Sequence, residues 1–267
     1  MGNTDWRTLL PMELEIVADE LVESPLNNIL HDDEIAKQVA QGTRAATVRV
    51  WRHAPVQGLV VSRRDIAGAN GERAMATMAD EGWPIFVRST GGTAVPHGIG
   101  MLNFSVMFPR QHEKATTDAY YRLLCQPLID WFVHLGLAAT TGEVPGSYCD
   151  GGYNVQIDGK KIVGTAQAWR GGLAGTTSRH PGYVLAHACI AIDLDITEAI
   201  SAINRFYGYT GAAVDVQPEA ASTLQERMRR PFDSAQAKRS LIEFLEPYFT
   251  AQGIIVRCQT ALADRPL

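Results

Sequence analysis

The chain has 267 residues, 46% hydrophobic and 20% charged, ordinary values for a globular protein long enough to bury a substantial core. Its formal net charge of -5, with Lys and Arg scattered along the chain, argues against general nucleic-acid binding, which needs a basic face. No apolar run reaches the roughly eighteen residues of a spanning helix, and the polar start MGNTDWRTLL is unlike a signal peptide, so no membrane contact and a cytoplasmic location are expected.

In chain order, MELEIVADELV (12–22) has helical apolar spacing, and NNILHDDEIAKQVAQG (27–42) continues it after Pro25, so two helices are expected to open the chain. ATVRVWRH (46–53) and QGLVVSR (57–63) are β-branched runs joined through Pro55, which predicts two adjacent strands. NGERAMATMADEG (70–82) reads as a helix with a glycine stop, and WPIFVRS (83–89) as a strand running into a glycine loop at 90–93. GMLNFSVMFP (100–109) alternates as a strand does, and KATTDAYYRLLCQPLIDWFVHLG (114–136) is a long amphipathic helix carrying Pro127 near its middle. GYNVQIDGKKIVGTAQAW holds two strands around Asp158-Gly159, a dipeptide suited to a type I′ turn. PGYVLAHACIAIDLDI (181–196) gives another strand, TEAISAINRFYG a helix, SAQAKRSLIEFLEPYF (234–249) a late helix and GIIVRC a last short strand. With no repeat, low-complexity tract or linker, a single α+β domain spanning 1–267 is the economical expectation.

The four cysteines show no C-x-x-C spacing, which argues against a zinc site and against a disulfide framework. Cys125, Cys189 and Cys258 stand in apolar runs that suit small buried thiols. Cys149, in VPGSYCDGG, has polar and turn-forming neighbours instead. A nucleophilic cysteine wants partial exposure and a nearby cation. Lys161, twelve positions later in GKKIVGTAQ, is one such cation if the fold brings the two together, but spacing alone leaves Cys149 as either a nucleophile or an idle loop thiol. Of the two adjacent lysines, strand alternation turns one outward and the other to the opposite face, and Gly164, Thr165 and Ala166 leave room for a bound molecule. RSTGGTAVPHG (88–98) contains that glycine loop, in which backbone N–H groups and Arg88 suit a carboxylate or phosphate, although from the residues alone a plain turn and a structural His97 are the commoner readings.

Taken together, RSTGGTAVPHGIGMLNFSV and YNVQIDGKKIVGTAQ closely resemble the biotin/lipoate A/B protein ligase catalytic domain, the family of lipoate-protein ligases, octanoyltransferases and biotin ligases. The resemblance covers about residues 10–205, with a C-terminal helical extension over 206–267. It implies a mixed sheet with flanking helices and an acyl-binding cleft. In that cleft Arg88, Gly91 and Gly92 line the acyl chain, with Thr93 where a third glycine is usual, and His97 supports the loop. Lys161 stands beside the reactive carbonyl, and Asn154, Gly164, Thr165 and Ala166 complete the substrate contacts. The resemblance further implies a cytoplasmic enzyme that places a lipoyl or octanoyl group on one lysine of a lipoyl domain of a 2-oxoacid dehydrogenase or of the glycine cleavage H protein. It implies no permanent cofactor and no metal site. Two mechanisms compete: octanoyl transfer from acyl carrier protein through a Cys149 thioester, which is slightly favoured, and ATP- and Mg-dependent ligation through lipoyl-AMP. A non-catalytic member that only binds acyl groups or the carrier domain is the third expectation.

Overall fold

Along residues 101–109 and 183–191 adjacent buried apolar side chains fall in different clusters, because alternate side chains point to opposite faces of a sheet covered on both sides. The computed structural model describes residues 5–19, 25–52, 56–111, 115–174 and 180–260. Strands β1 (Glu13–Ala18) and β2 (Ala46–Arg52) flank helix α1 (Pro25–Ala40) in sequence, and β3 (Gly58–Ser62), α2 (Gly71–Asp80), β4 (Ile85–Arg88) and β5 (Val95–His97) follow. The chain continues through β6 (Met101–Pro109), α3 (Thr117–His134), β7 (Ala139–Thr141), β8 (Val155–Ile157), β9 (Lys160–Arg170) and β10 (Tyr183–Ala191). Helices α4 (Ile196–Thr210), α5 (Leu224–Met228) and α6 (Ser234–Thr250) precede the last strand, β11 (Ile255–Thr260).

Eight strands form one mixed sheet in the order β11-β1-β2-β6-β10-β9-β8-β7, and β4-β3-β5 form a second, three-stranded sheet. The fold is therefore α+β with a mixed sheet and flanking helices, as the sequence implied. Helices α3 and α6 cover one face of the large sheet, through Leu124, Trp131 and Phe249 packed on Val48, Phe104 and Val184. The other face is shared: α1 packs Ile35 and Val39 on Met107 and Leu185, and the small sheet with α2 and α4 packs around Trp51, Met101 and Cys189. The Asp158-Gly159 turn has φ of 52° and 73°, the left-handed pair that a type I′ hairpin requires.

Three expectations fail, one of them Cys258, which was expected to be a buried thiol and is exposed on the edge strand β11. Residues 13–18 form a strand, not the start of a helix, because Leu14 and Ile16 alternate with Glu13 and Glu15 as well as they fit a helical spacing, and pairing to β2 and β11 decides between the two. Residues 20–22 of that expected helix, like the Pro55 junction, lie outside the described residues. Strands β2 and β3 are both present but not adjacent; they lie in different sheets, since β2 pairs with β1 and β6 while β3 pairs with β4 and β5. The three-residue strands β5 and β7 were not expected, being too short to show a period.

Helix α1 is fastened to the large sheet by a buried charge. The Arg49 guanidinium, on β2 and fully buried, donates to Asp32 Oδ1 at 2.9 Å, Asp19 Oδ1 at 2.6 Å and the Asn28 carbonyl at 2.9 Å. Asp32 also accepts from Ser105 of β6, and burial pushes its carboxyl up against the pull of Arg49. Removing one partner of such a group leaves the other charge underpaired away from water. Asp32→Ala should therefore lower unfolding free energy by about 3–5 kcal/mol in a urea titration, and a loss under about 1 kcal/mol would show that Asp19 alone suffices.

Candidate active site

The lysine strand supplies the deepest charge of the site. Lys161, near the start of β9, is fully buried, and such an amine must find acceptors or lose its proton. It finds them in the loop 142–154: Nζ donates to the Tyr148 carbonyl and, at 2.9 Å, to the Cys149 carbonyl, while standing 4.4 Å from the centre of the Tyr148 ring. Burial lowers its pKa to about 8, opposed by negative charge at Cys149 and Asp150. Its neighbour Lys160 turns the other way, to the surface, and donates to the Glu219 carbonyl at 2.7 Å.

Cys149 itself has φ of 46°, a left-handed backbone unusual for a residue with a side chain. That conformation turns its half-buried sulfur toward the glycine loop, where the Thr93 N–H donates to Sγ at 3.2 Å. Gly92, at φ 94°, permits the approach: a Cβ there would stand 2.7 Å from Sγ and 3.0 Å from Arg88 Nη2. Asp150 braces the loop by accepting from the Val144 N–H at 2.8 Å, the Gly151 N–H at 2.9 Å and Asn154 Nδ2 at 2.6 Å.

Of the residues expected from the sequence, Gly91, Gly92, Cys149, Asn154, Thr165 and Ala166 line one open cleft of about 210 Å³, together with Tyr121, Asp150, Tyr153 and Gln167. Arg88 and His97 lie deeper, around a cavity of about 20 Å³ that also touches Trp51, His187 and Cys189. The Arg88 guanidinium faces inward, donating to the carbonyls of Val60, Gly91 and Thr93 at 2.7–3.1 Å. It shapes the glycine loop and commits four of its five N–H groups to main-chain carbonyls among the described residues, so its charge is engaged with main chain more than offered to a ligand. His97 is buried and meets Cys189 Sγ at 3.1 Å. Gly164 makes room for Lys161, since a Cβ at that position would stand 3.3 Å from Lys161 Cε. Thr165 donates to the Tyr153 carbonyl at 3.0 Å.

The structure adds residues that sequence reading missed. Asp150, next to Cys149, was visible as a loop acid but had no assigned task. Tyr121 stacks on Tyr153 with ring centres 4.7 Å apart at the cleft wall, a pairing across 32 positions that carries no local signal. His187 meets Thr90 Oγ1 at 3.0 Å, and burial with Arg88 nearby lowers its pKa to about 3, so it is neutral. Cys189 and Cys125 are pushed up to about 12 by burial and remain thiols.

A cysteine whose carbonyl is held by a buried ammonium and whose sulfur accepts a main-chain N–H, at the wall of an open cleft, is an arrangement suited to a nucleophile. The lipoyl protein ligase A/B catalytic domain matches residues 24–246, and the chain belongs to that family, an enzyme family of protein lipoylation. It is 40% identical over 198 residues, 72% of its own length and 68% of the relative's, to octanoyl-GcvH:protein N-octanoyltransferase of Kyrpidia tusciae. It is 26% identical over 233 residues to lipoyl-GcvH:protein N-lipoyltransferase of Listeria monocytogenes, covering 83% and 80% of the two chains. A lipoate-protein ligase A bound with ATP superposes with a TM-score of 0.70 at 21% identity, covering 94% of this chain and 90% of that one. The bi-partite lipoate protein ligase of Thermoplasma acidophilum superposes at 0.61 and 21%, covering 95% and 89%; these two likenesses concern the fold alone.

Gly92→Ala should disturb the thiol before it disturbs the fold. A methyl group 2.7 Å from Sγ must push the sulfur off the Thr93 N–H, so alkylation of Cys149 by iodoacetamide is expected to change at least about threefold. The cost in stability should stay near 1–2 kcal/mol, that of a side chain in the left-handed region. Unchanged alkylation would mean that the loop yields without moving the thiol.

Proposed function

We propose that this protein moves an octanoyl group from a lysine of one carrier protein to a lysine of another through a thioester on Cys149. The observation that carries the reading is the clamp on Cys149: its carbonyl bound by the Lys161 ammonium, its sulfur bound by the Thr93 N–H, and the cleft opening on that sulfur. The names of the relatives support GcvH as the donor, where the sequence reading took acyl carrier protein, and lipoyl domains are the acceptors.

In the first half-reaction the Cys149 thiolate attacks the amide carbonyl of the donor's octanoyl-lysine. A C–S bond forms and the C–N bond breaks, and the leaving lysine amine takes up the proton that the thiol gave up. In the second, the acceptor lysine amine attacks the thioester carbonyl, a C–N bond forms, and the thiolate departs as the amine loses its proton. The Lys161 charge opposes the negative charge on sulfur and then on the tetrahedral oxygen, and the Thr93 N–H can turn to that oxygen once sulfur is acylated. The octanoyl tail meets apolar surface at hand, because Cys149 packs against the cluster that holds Trp51, Val60 and Tyr148. One amide is exchanged for another, so the reaction needs neither ATP nor a metal; a ligase reading would require ATP and Mg. Arg88, Gly91, Gly92 and Asn154 act by shaping the two loops, and Thr165 and Ala166 by flooring the cleft.

Incubation with octanoyl-GcvH should add one octanoyl group to the native chain by intact mass, and Cys149→Ala should abolish the adduct. No adduct from octanoyl-GcvH or octanoyl-acyl carrier protein, combined with octanoate-dependent ATP–pyrophosphate exchange, would sink the thioester route in favour of ligation. The rate of adduct formation should fall as pH rises through about 8, where Lys161 loses its proton. Lys161→Met, uncharged at every pH, should remove that alkaline limb and slow the reaction by about a hundredfold or more.

A further inference from the structure

The pair Cys149 and Lys161 is held by a third segment that no part of the proposed chemistry uses. After α4 the chain turns back through residues 212–222 and crosses beneath the site. There the Gln217 N–H donates to the Gly146 carbonyl at 2.8 Å, three residues before Cys149. The Ser222 N–H donates to the Lys161 carbonyl at 3.0 Å, and Ala221 bridges Lys161 in parallel. Lys160 adds its bond to the Glu219 carbonyl at 2.7 Å. Gly146 is left-handed, at φ 84°, and a Cβ there would stand 3.2 Å from the Gln217 side chain, so the loop and the returning segment touch closely.

These contacts close a ring. Lys161 Nζ grips the loop at Tyr148 and Cys149; the loop is tied at Gly146 to Gln217; the segment returns through Ala221 and Ser222 to the Lys161 backbone. The loop 142–149 and strand β9 have no other backbone bond to each other among the described residues than those carried through β8, on the far side of the loop. The segment is itself clipped at one place. Val216 donates its N–H to Asn204 Oδ1 at 2.8 Å and accepts from Asn204 Nδ2 at 2.9 Å, so one half-buried side chain of α4 satisfies both main-chain groups of Val216.

We infer that residues 216–222, clipped by Asn204, form a strap that sets how deeply the Lys161 ammonium lies under Cys149, and that Asn204 is a positioning residue for acyl transfer. This rests on the reading that Cys149 and Lys161 are the reacting pair. The strap acts through backbone: it fixes the height of β9 at Lys161 and the height of the loop at Gly146, and the lysine spans the difference. Loosening it lets water reach Nζ. The titratable groups that face Nζ stay where they are, namely Cys149 and Asp150 from the loop, Tyr148 beneath it and Cys189 from β10.

Asn204→Leu, in the full chain, should cut the rate of octanoyl-thioester formation about tenfold while leaving KM for octanoyl-GcvH within about twofold. The alkaline limb of the rate should move up from about 8 toward the ordinary range of lysine, because burial is what lowers it. Asn204→Asp, which keeps the acceptor for the Val216 N–H, should restore part of the rate. An unmoved alkaline limb with an unchanged rate, or a loss that follows only the unfolded fraction in a thermal melt, would overturn the inference. Should Asn204→Leu fail to fold, Lys160→Ala removes only the surface tie to Glu219 and should shift the limb in the same direction with about a twofold loss of rate; no shift would be equally fatal. If the native protein forms no thioester, the proposed function fails, and iodoacetamide alkylation of Cys149 still reads the strap, through the same comparison of rates and alkaline limbs.

Discussion

A fully buried lysine ammonium is the constraint around which this site is built. The charge of Lys161 has left water, so every group that meets it must stay in place: the Tyr148 and Cys149 carbonyls, the face of the Tyr148 ring, and the missing side chain of Gly164. A loop that would otherwise wander between β7 and β8 is thereby pinned at the residue that carries the thiol. The cysteine loop has its form because the lysine needs acceptors, and the lysine keeps a lowered pKa because the loop closes over it.

The glycine loop follows the same economy. Arg88 holds its two ends by donating to the Gly91 and Thr93 carbonyls, and the Ala94 N–H donates to Tyr207, which in turn donates to Asp65. With both ends fixed, the Thr93 N–H points at Cys149 Sγ without further adjustment. An arginine beside a glycine loop reads in a sequence as an anion site; here most of its donors are spent on carbonyls that the tight turn leaves unsatisfied. The cation that holds the cysteine loop is the lysine, and the arginine shapes the glycine loop opposite.

Much of this was legible beforehand, in the places where chemistry is local. The Asp158-Gly159 hairpin, the glycine stop after α2 and the long helix α3 around Pro127 declared themselves through turn residues and period. The lysine and glycine motifs were recognisable because each lies within some twenty residues of continuous chain. What escaped was set by pairing at a distance: β1 read as helix until its neighbours β2 and β11 settled it, and β3 looked like the partner of β2 although it belongs to another sheet.

The amino-acid sequence by itself determined the family, the mixed α+β architecture and the identity of Lys161 and the 90–93 loop as the centre of interest, since those rest on short motifs and on composition. Whether Cys149 works with Lys161 was beyond it, because twelve residues of spacing are compatible with any separation the hairpin allows. Tertiary structure decided their proximity: a left-handed Cys149, a loop braced by Asp150 and a strap returning from beyond α4 bring the Cys149 carbonyl to the Lys161 ammonium and the Cys149 sulfur to the Thr93 N–H. The physical reason is that a buried charge is satisfied only by groups converging from several elements, and convergence in space leaves no mark on neighbours in sequence.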